Sequence, residues 1–159
     1  SAVALGASSK ATAHAAFTAG LVSRANGQAA VALGDHAVAD GQGSVALGTQ
    51  ALADGASAMA FGREARAEGT HALALGRGAR ATNTAAVAIS TSTGDERAYA
   101  TAAQSLAIGS SLLASGTGAI ALGDEVSASG TRSIAIGRHA STNSRTGAFV
   151  LNTSTDNLI

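Results

Sequence analysis

A fourteen-residue period governs this sequence and narrows its possible folds more than any other property. Short segments of the type Ser-Val-Ala-Leu-Gly end at Gly6, Gly20, Gly34, Gly48, Gly62, Gly76, Ser90, Gly109, Gly123 and Gly137, with every step fourteen except the nineteen after Ser90. Counting back from Gly109 restores the register through Ala98, Ala100 and Ala102, so the five extra residues are placed in one turn, Ser90 to Gly94. The last step, to the Ala-Phe-Val-Leu-Asn segment at 148–152, is fifteen, and the pattern stops near Asn152.

Fourteen is also two heptads, which raises a coiled coil. Heptads need apolar residues three and four apart. The bulky residues here stand two apart: Val31 and Leu33, Val45 and Leu47, Met59 and Phe61, Leu73 and Leu75, Val87 and Ile89, Leu106 and Ile108, Ile120 and Leu122, Ile134 and Ile136. That is strand spacing. A glycine follows almost every pair and another sits seven residues on, at Gly27, Gly41, Gly55, Gly69, Gly116 and Gly130, which would break a helix twice per repeat. Asn83 holds this second place in one repeat; Asn and Gly are the residues that tolerate positive φ, so a left-handed backbone is expected there. Each repeat reads as two short strands and two turns, an all-β solenoid of fourteen-residue coils.

The second strand of each repeat alternates simply, small residues on one side and charged ones on the other, as in Ala65-Arg66-Ala67. The first strand has a Val/Leu/Ile side and a small side, Ser44 with Ala46 or Ser133 with Ala135. A coil this short encloses a thin space that only alanine and serine can line, so the bulky row must point outward. Stacked roughly 4.8 Å apart, these side chains form an apolar ridge. At about 1.5–3 kcal/mol per large side chain, leaving such a row in water exceeds the ~5–15 kcal/mol by which folded chains are usually stable. The sixteen residues of the bulky pairs are therefore expected to form an association surface, with identical chains as the partner.

Composition agrees and excludes other classes. Among 159 residues, aromatics make up 3%, there are 20 glycines and no proline, and the 46% of hydrophobic residues is largely alanine, too little bulk for a thick globular interior. Ten Lys and Arg balance ten Asp and Glu, so no general attraction to nucleic acid or an anionic membrane is expected. The absence of cysteine removes disulfides and thiolate metal sites. No charged-then-apolar leader and no run of eighteen apolar residues occurs, so neither a signal peptide nor membrane insertion by this fragment is expected.

Catalytic signatures are missing. His14, His36, His71 and His139 lie in different repeats without metal-ligand spacing and read as exposed turn residues. No G-x-S-x-G elbow, phosphate-binding loop, six-residue acyltransferase repeat or calcium-binding nonapeptide is present. No enzyme activity, cofactor or metal is expected. The outward column of the second strand is more informative: Lys10, Arg24, Val38, Leu52, Arg66, Arg80, Tyr99 and Leu113, followed by Ser127 and Ser141. It reads either as a solvated face or as a flat ligand-contacting surface, with Arg66, Arg80 and Tyr99 as the leading contacts. It has none of the threonine ladder that an ice-binding solenoid requires. Asp40, Asp54 and Glu68 stack beside it, an arrangement of like charges expected to cost stability. The Ser90 to Gly94 insertion, with Asp95, Glu96 and Arg97 beside it, is either a recognition loop or a tolerated lengthening.

The SVALG, AIALG, SIAIG and SLAIG segments followed by x-x-A-x-A-x-G closely resemble the head repeats of trimeric autotransporter adhesins, the YadA-like head, over about ten repeats from Ala2 to Asn152. The resemblance implies a left-handed parallel β-roll, three chains packed through their bulky sheets, on the outer surface of a Gram-negative bacterium and anchored in its outer membrane in the full-length protein. It also implies binding of host extracellular matrix of the collagen, fibronectin or laminin class, or of the host cell surface. The alternative is a structural spacer that displays other binding domains of the same adhesin. The leading Asn-Ser of the family motif is reduced here to Ser or Ala, and Ala19 stands where a large residue is usual, with Phe17 placed to fill the gap. No neck, stalk heptads or anchor follow, so the chain reads as an excised head: residues 1–152 the roll, 153–159 a segment leading out of it.

Overall fold

The computed structural model describes residues 1–92, 94 and 97–152. Among them the chain winds into a parallel β-solenoid of two sheets and contains no helix. Eleven first strands, from Val3–Leu5 to Phe149–Asn152, form one sheet in sequence order. Nine second strands, from Lys10–Ala11 to Ser127–Ala128, form the other. The register is the sequence period made physical. Val45 pairs with Val31 and Met59, each fourteen residues away, and Val87 pairs with Leu106 across the nineteen-residue step. Consecutive coils are joined by backbone bonds such as Val45 N–H to the Ala58 carbonyl at 2.9 Å.

The interior is built from the smallest side chains. Ala46, Ala60, Ala74 and Ala88 of the first strands and Ala53, Ala67, Ala81 and Ala100 of the second are fully buried. Ser44, Ser105 and Ser133 are buried in the same wall, and the Oγ of Ser105 and of Ser133 donates back to the carbonyl three residues earlier at 2.7 Å. Leu112 and Val126 are the largest fully buried side chains. They occupy the inner place that Ala51 and Ala65 hold in other coils, a substitution the sequence period alone does not flag. Their coils also have longer first strands, Leu106–Ser110 and Ile120–Asp124, against three residues in Val45–Leu47.

The turns correct one expectation. The glycine column Gly27, Gly41, Gly55, Gly69, Gly116 and Gly130 has no positive φ, and neither does Asn83. Glycine is needed there for room, since a Cβ on Gly41 would run into the carbonyl of Gly55 in the next coil. The left-handed residues lie two places further on. Ala58 N–H donates to the Gly55 carbonyl at 3.1 Å, and Ser57 between them has φ of 54°. On the opposite edge Ala51 N–H donates to the Gly48 carbonyl at 3.2 Å with Gln50 at φ of 59°. Positive φ at the third residue of a closed four-residue turn is the type II arrangement. Both edges of the roll repeat it, with Val22, His36, Glu64, His71 and Arg132 among the residues held there.

Two irregularities are absorbed locally. The nineteen-residue step lies between the strands Val87–Ser90 and Ala98–Ala100, so Ser90 closes a strand; Thr93 within the insertion and its neighbours Asp95 and Glu96 lie outside the described residues. The fifteen-residue step places its extra residue after Ser141, where Asn143 and Ser144 both have positive φ. One coil earlier, the Ser115 and Gly116 N–H groups donate to the Ala128 carbonyl. In the disturbed coil the corresponding Ser129 and Gly130 N–H groups donate to the Thr142 hydroxyl, at 3.1 and 3.3 Å. Thr142 is buried in the alanine column, its side chain standing in for a missing backbone acceptor. The described roll ends at Asn152; residues 153–159, expected to lead out of it, lie outside the described residues.

Candidate functional site

The two sheets present two different outer faces. On the eleven-stranded sheet the bulky pairs form two columns. Val31, Val45, Met59, Leu73, Val87, Leu106, Ile120 and Ile134 stack in one; Leu33, Leu47, Phe61, Leu75, Ile89, Ile108, Leu122 and Ile136 stack in the other. Phe17 and Ala19 continue these columns next to Val31 and Leu33. Most members are half-buried because each is flanked above and below by its own column; Met59 and Leu75 remain 43% and 40% exposed. The ridge is thus less open to water than isolated side chains, yet it is continuous and carries no charge along its length.

The nine-stranded sheet aligns Lys10, Arg24, Val38, Leu52, Arg66, Arg80, Tyr99, Leu113 and Ser127 as direct ladder partners, with a bridge to Ser141 beyond. The Arg80 guanidinium stands 5.8 Å from the centre of the Tyr99 ring, within cation–π range. Arg24 reaches Asp40 at 3.8 Å and Arg66 reaches Glu68 at 3.7 Å. Asn26 also donates to Asp40 at 2.7 Å and accepts from Thr12 at 3.0 Å. The carboxylates expected to repel one another along the stack are therefore met from the side by cations and an amide at both ends.

Three residues join this face that periodicity alone did not select. Arg97, just past the insertion, lies over Gly78, where a Cβ would meet its side chain at 3.0 to 3.1 Å. It crosses that gap to Glu64 at 3.2 Å, and Arg63 contacts the other oxygen of Glu64 at 3.4 Å. Gln50, Glu64, Arg66, Arg80 and Arg97 together line a groove of about 340 Å³. The signal was present in the register: Arg97, Gly78, Glu64 and Gln50 each precede an inner-column residue, and the missing side chain at Gly78 opens the path. A second hollow, of about 480 Å³, lies at the last coil between Ser141 and Leu151.

The histidines are dispersed. His14, His36 and His71 are exposed and His139 is half-buried. His36 and His139 sit in turns and approach Asp35 at 2.7 Å and Glu125 at 2.8 Å. Among the described residues no three His, Asp or Glu side chains gather where they could hold a metal ion. Among the described residues no helix is long and apolar enough to cross a membrane.

The family model described as the YadA head domain repeat matches the chain at residues 25–51, 39–65, 53–79, 67–89 and 114–140, together more than half of its length. No curated protein matches the chain.

Proposed function

The chain belongs to the family of YadA head domain repeats, an adhesin head family without catalysis, and on that premise we propose that it works as a homotrimer that binds host extracellular matrix. The observation that carries the reading is the division of side chains between inside and outside. Alanine fills the roll, while the sixteen bulky residues stand in two uncharged columns on its outer surface. Apolar area of that extent is buried against a partner in stable proteins, and three identical chains bury it symmetrically. The nine-stranded face then looks away from the threefold axis. Its candidate contacts, Lys10, Arg24, Val38, Leu52, Arg66, Arg80, Tyr99 and Leu113, meet a matrix protein of the collagen, fibronectin or laminin class, or the host cell surface. Three copies add avidity to individually weak contacts. The head is displayed on a Gram-negative cell surface by outer-membrane anchoring elsewhere in the full-length protein.

The mass of the chain's assembly in solution, followed by light scattering over a concentration series, tests the reading. Three chains per particle are expected. Replacing Val45 and Leu47 by Ser together dissociates them, whereas a well-folded monomer at every concentration overturns the reading. Binding of the trimer to immobilised collagen, fibronectin and laminin tests the outer face. Ala at Arg66, Arg80 and Tyr99 together abolishes it; unchanged binding removes these residues from the ligand site.

A further inference from the structure

We infer that the groove between Arg66, Arg80 and Arg97 is a site for an oxyanion, the sulfate or carboxylate group of an acidic polysaccharide. The inference rests on the reading above only in needing the nine-stranded face outward. Among the described residues three guanidinium groups line the groove against one carboxylate, Glu64, and that carboxylate is already met by Arg97 at 3.2 Å and Arg63 at 3.4 Å. Arg66 and Arg80 are direct ladder partners, a like-charge pairing that destabilises a sheet unless an anion sits against it. Arg66 has Glu68 at 3.7 Å. Arg80 has the Tyr99 ring at 5.8 Å, and its Nε is shut off from water with no hydrogen-bond partner among the described residues. Arg80 lines the groove, and the planar fork of arginine matches a two-oxygen acceptor.

The surroundings suit a sugar chain. Leu52 and Tyr99 flank the arginine pair along the ladder, offering apolar surface to ring C–H groups while the arginines take the acidic substituent. The groove, about 340 Å³, is of the size of small-ligand sites. With a net charge of zero over the whole chain, recognition is local; it does not arise from a general attraction to polyanions.

The test uses the assembled fragment at low salt, titrated with a heparin-derived tetrasaccharide, a hyaluronan tetrasaccharide and maltotetraose. The sulfated, the carboxylated and the neutral probe are followed by calorimetry and by the arginine Nε–Hε resonances. The Arg80 resonance shifts with one or both acidic probes and stays in place with maltotetraose; the probe that moves it identifies the substituent. Arg80→Gln and Arg97→Gln each weaken binding by about tenfold or more, as for loss of a charge-assisted contact. Arg132→Gln, in an exposed edge turn outside the groove, leaves affinity unchanged. An unmoved Arg80 resonance, equal binding of maltotetraose, or equal loss in Arg132→Gln overturns the site. Because the Arg80 readout needs no substitution, it stands even if a variant folds poorly. Failure here with matrix-protein binding intact removes the oxyanion site and leaves the adhesin reading standing; the reverse result separates them the other way.

Discussion

Val22 shows how far stacking overrides a residue's own preference. It is β-branched, 40% exposed, and held at φ of 55°, a conformation that L-residues enter at roughly 1–2 kcal/mol. Its place in the turn is dictated by the coils on either side: Val22 N–H donates to the Ala7 carbonyl at 3.0 Å, as His36 N–H does to Leu21 at 2.9 Å. Val22→Gly relieves the strain and gives part of it back as chain entropy. A net stabilisation of about 0.5–1 kcal/mol is expected, read as a higher urea midpoint at fixed protein concentration. The left-handed column was not legible in sequence because Ser, Val, His, Gln and Glu occupy it interchangeably. The glycines that were legible answer to a different constraint, the carbonyl of the next coil lying where a Cβ would be.

At the scale of the coil, the ladder tolerates an extra residue when a side chain supplies what the backbone loses. Thr142 accepts the Ser129 and Gly130 N–H groups and lies 3.1 Å from the Ser133 hydroxyl, which donates to the Gly130 carbonyl at 2.7 Å. Thr142→Val keeps the shape and removes the acceptor. A loss of about 1–3 kcal/mol is expected from buried donors left unmet, concentrated in the last coils. Hydrogen exchange checks it: the Ser129 and Gly130 amides exchange faster while those of Val45 and Leu47 keep their protection. The fifteen-residue step was visible in the sequence, but Thr142 in an alanine column was not recognisable as its compensation until the Ser129 and Gly130 amides were seen to turn to it. Arg97 is a similar case. Its neighbourhood was marked by the insertion, and its contact with Glu64 depends on Gly78 lacking a side chain.

For the molecule as a whole, stability is divided between coils that bury alanine and a ridge that buries its larger side chains only on association. An alanine contributes little apolar area, so most of the available burial resides in the outer columns. Folding and assembly of the proposed trimer are then linked, and the thermal midpoint rises with protein concentration. Scanning calorimetry over a hundredfold concentration range checks this; a midpoint independent of concentration means that the single roll is stable with its ridge in water.

The sequence by itself determined the coil. Fourteen-residue spacing, bulky residues two apart and alanine between them admit one phase of inside and outside, because a thin interior excludes every larger side chain. Only the tertiary structure decided which backbone positions turn left-handed, which hydroxyl caps the disturbed coil and which arginines converge on one groove. Those outcomes depend on atoms twelve to thirty-three residues apart meeting across stacked coils, where a carbonyl, a missing Cβ or a neighbouring guanidinium sets what each residue can do.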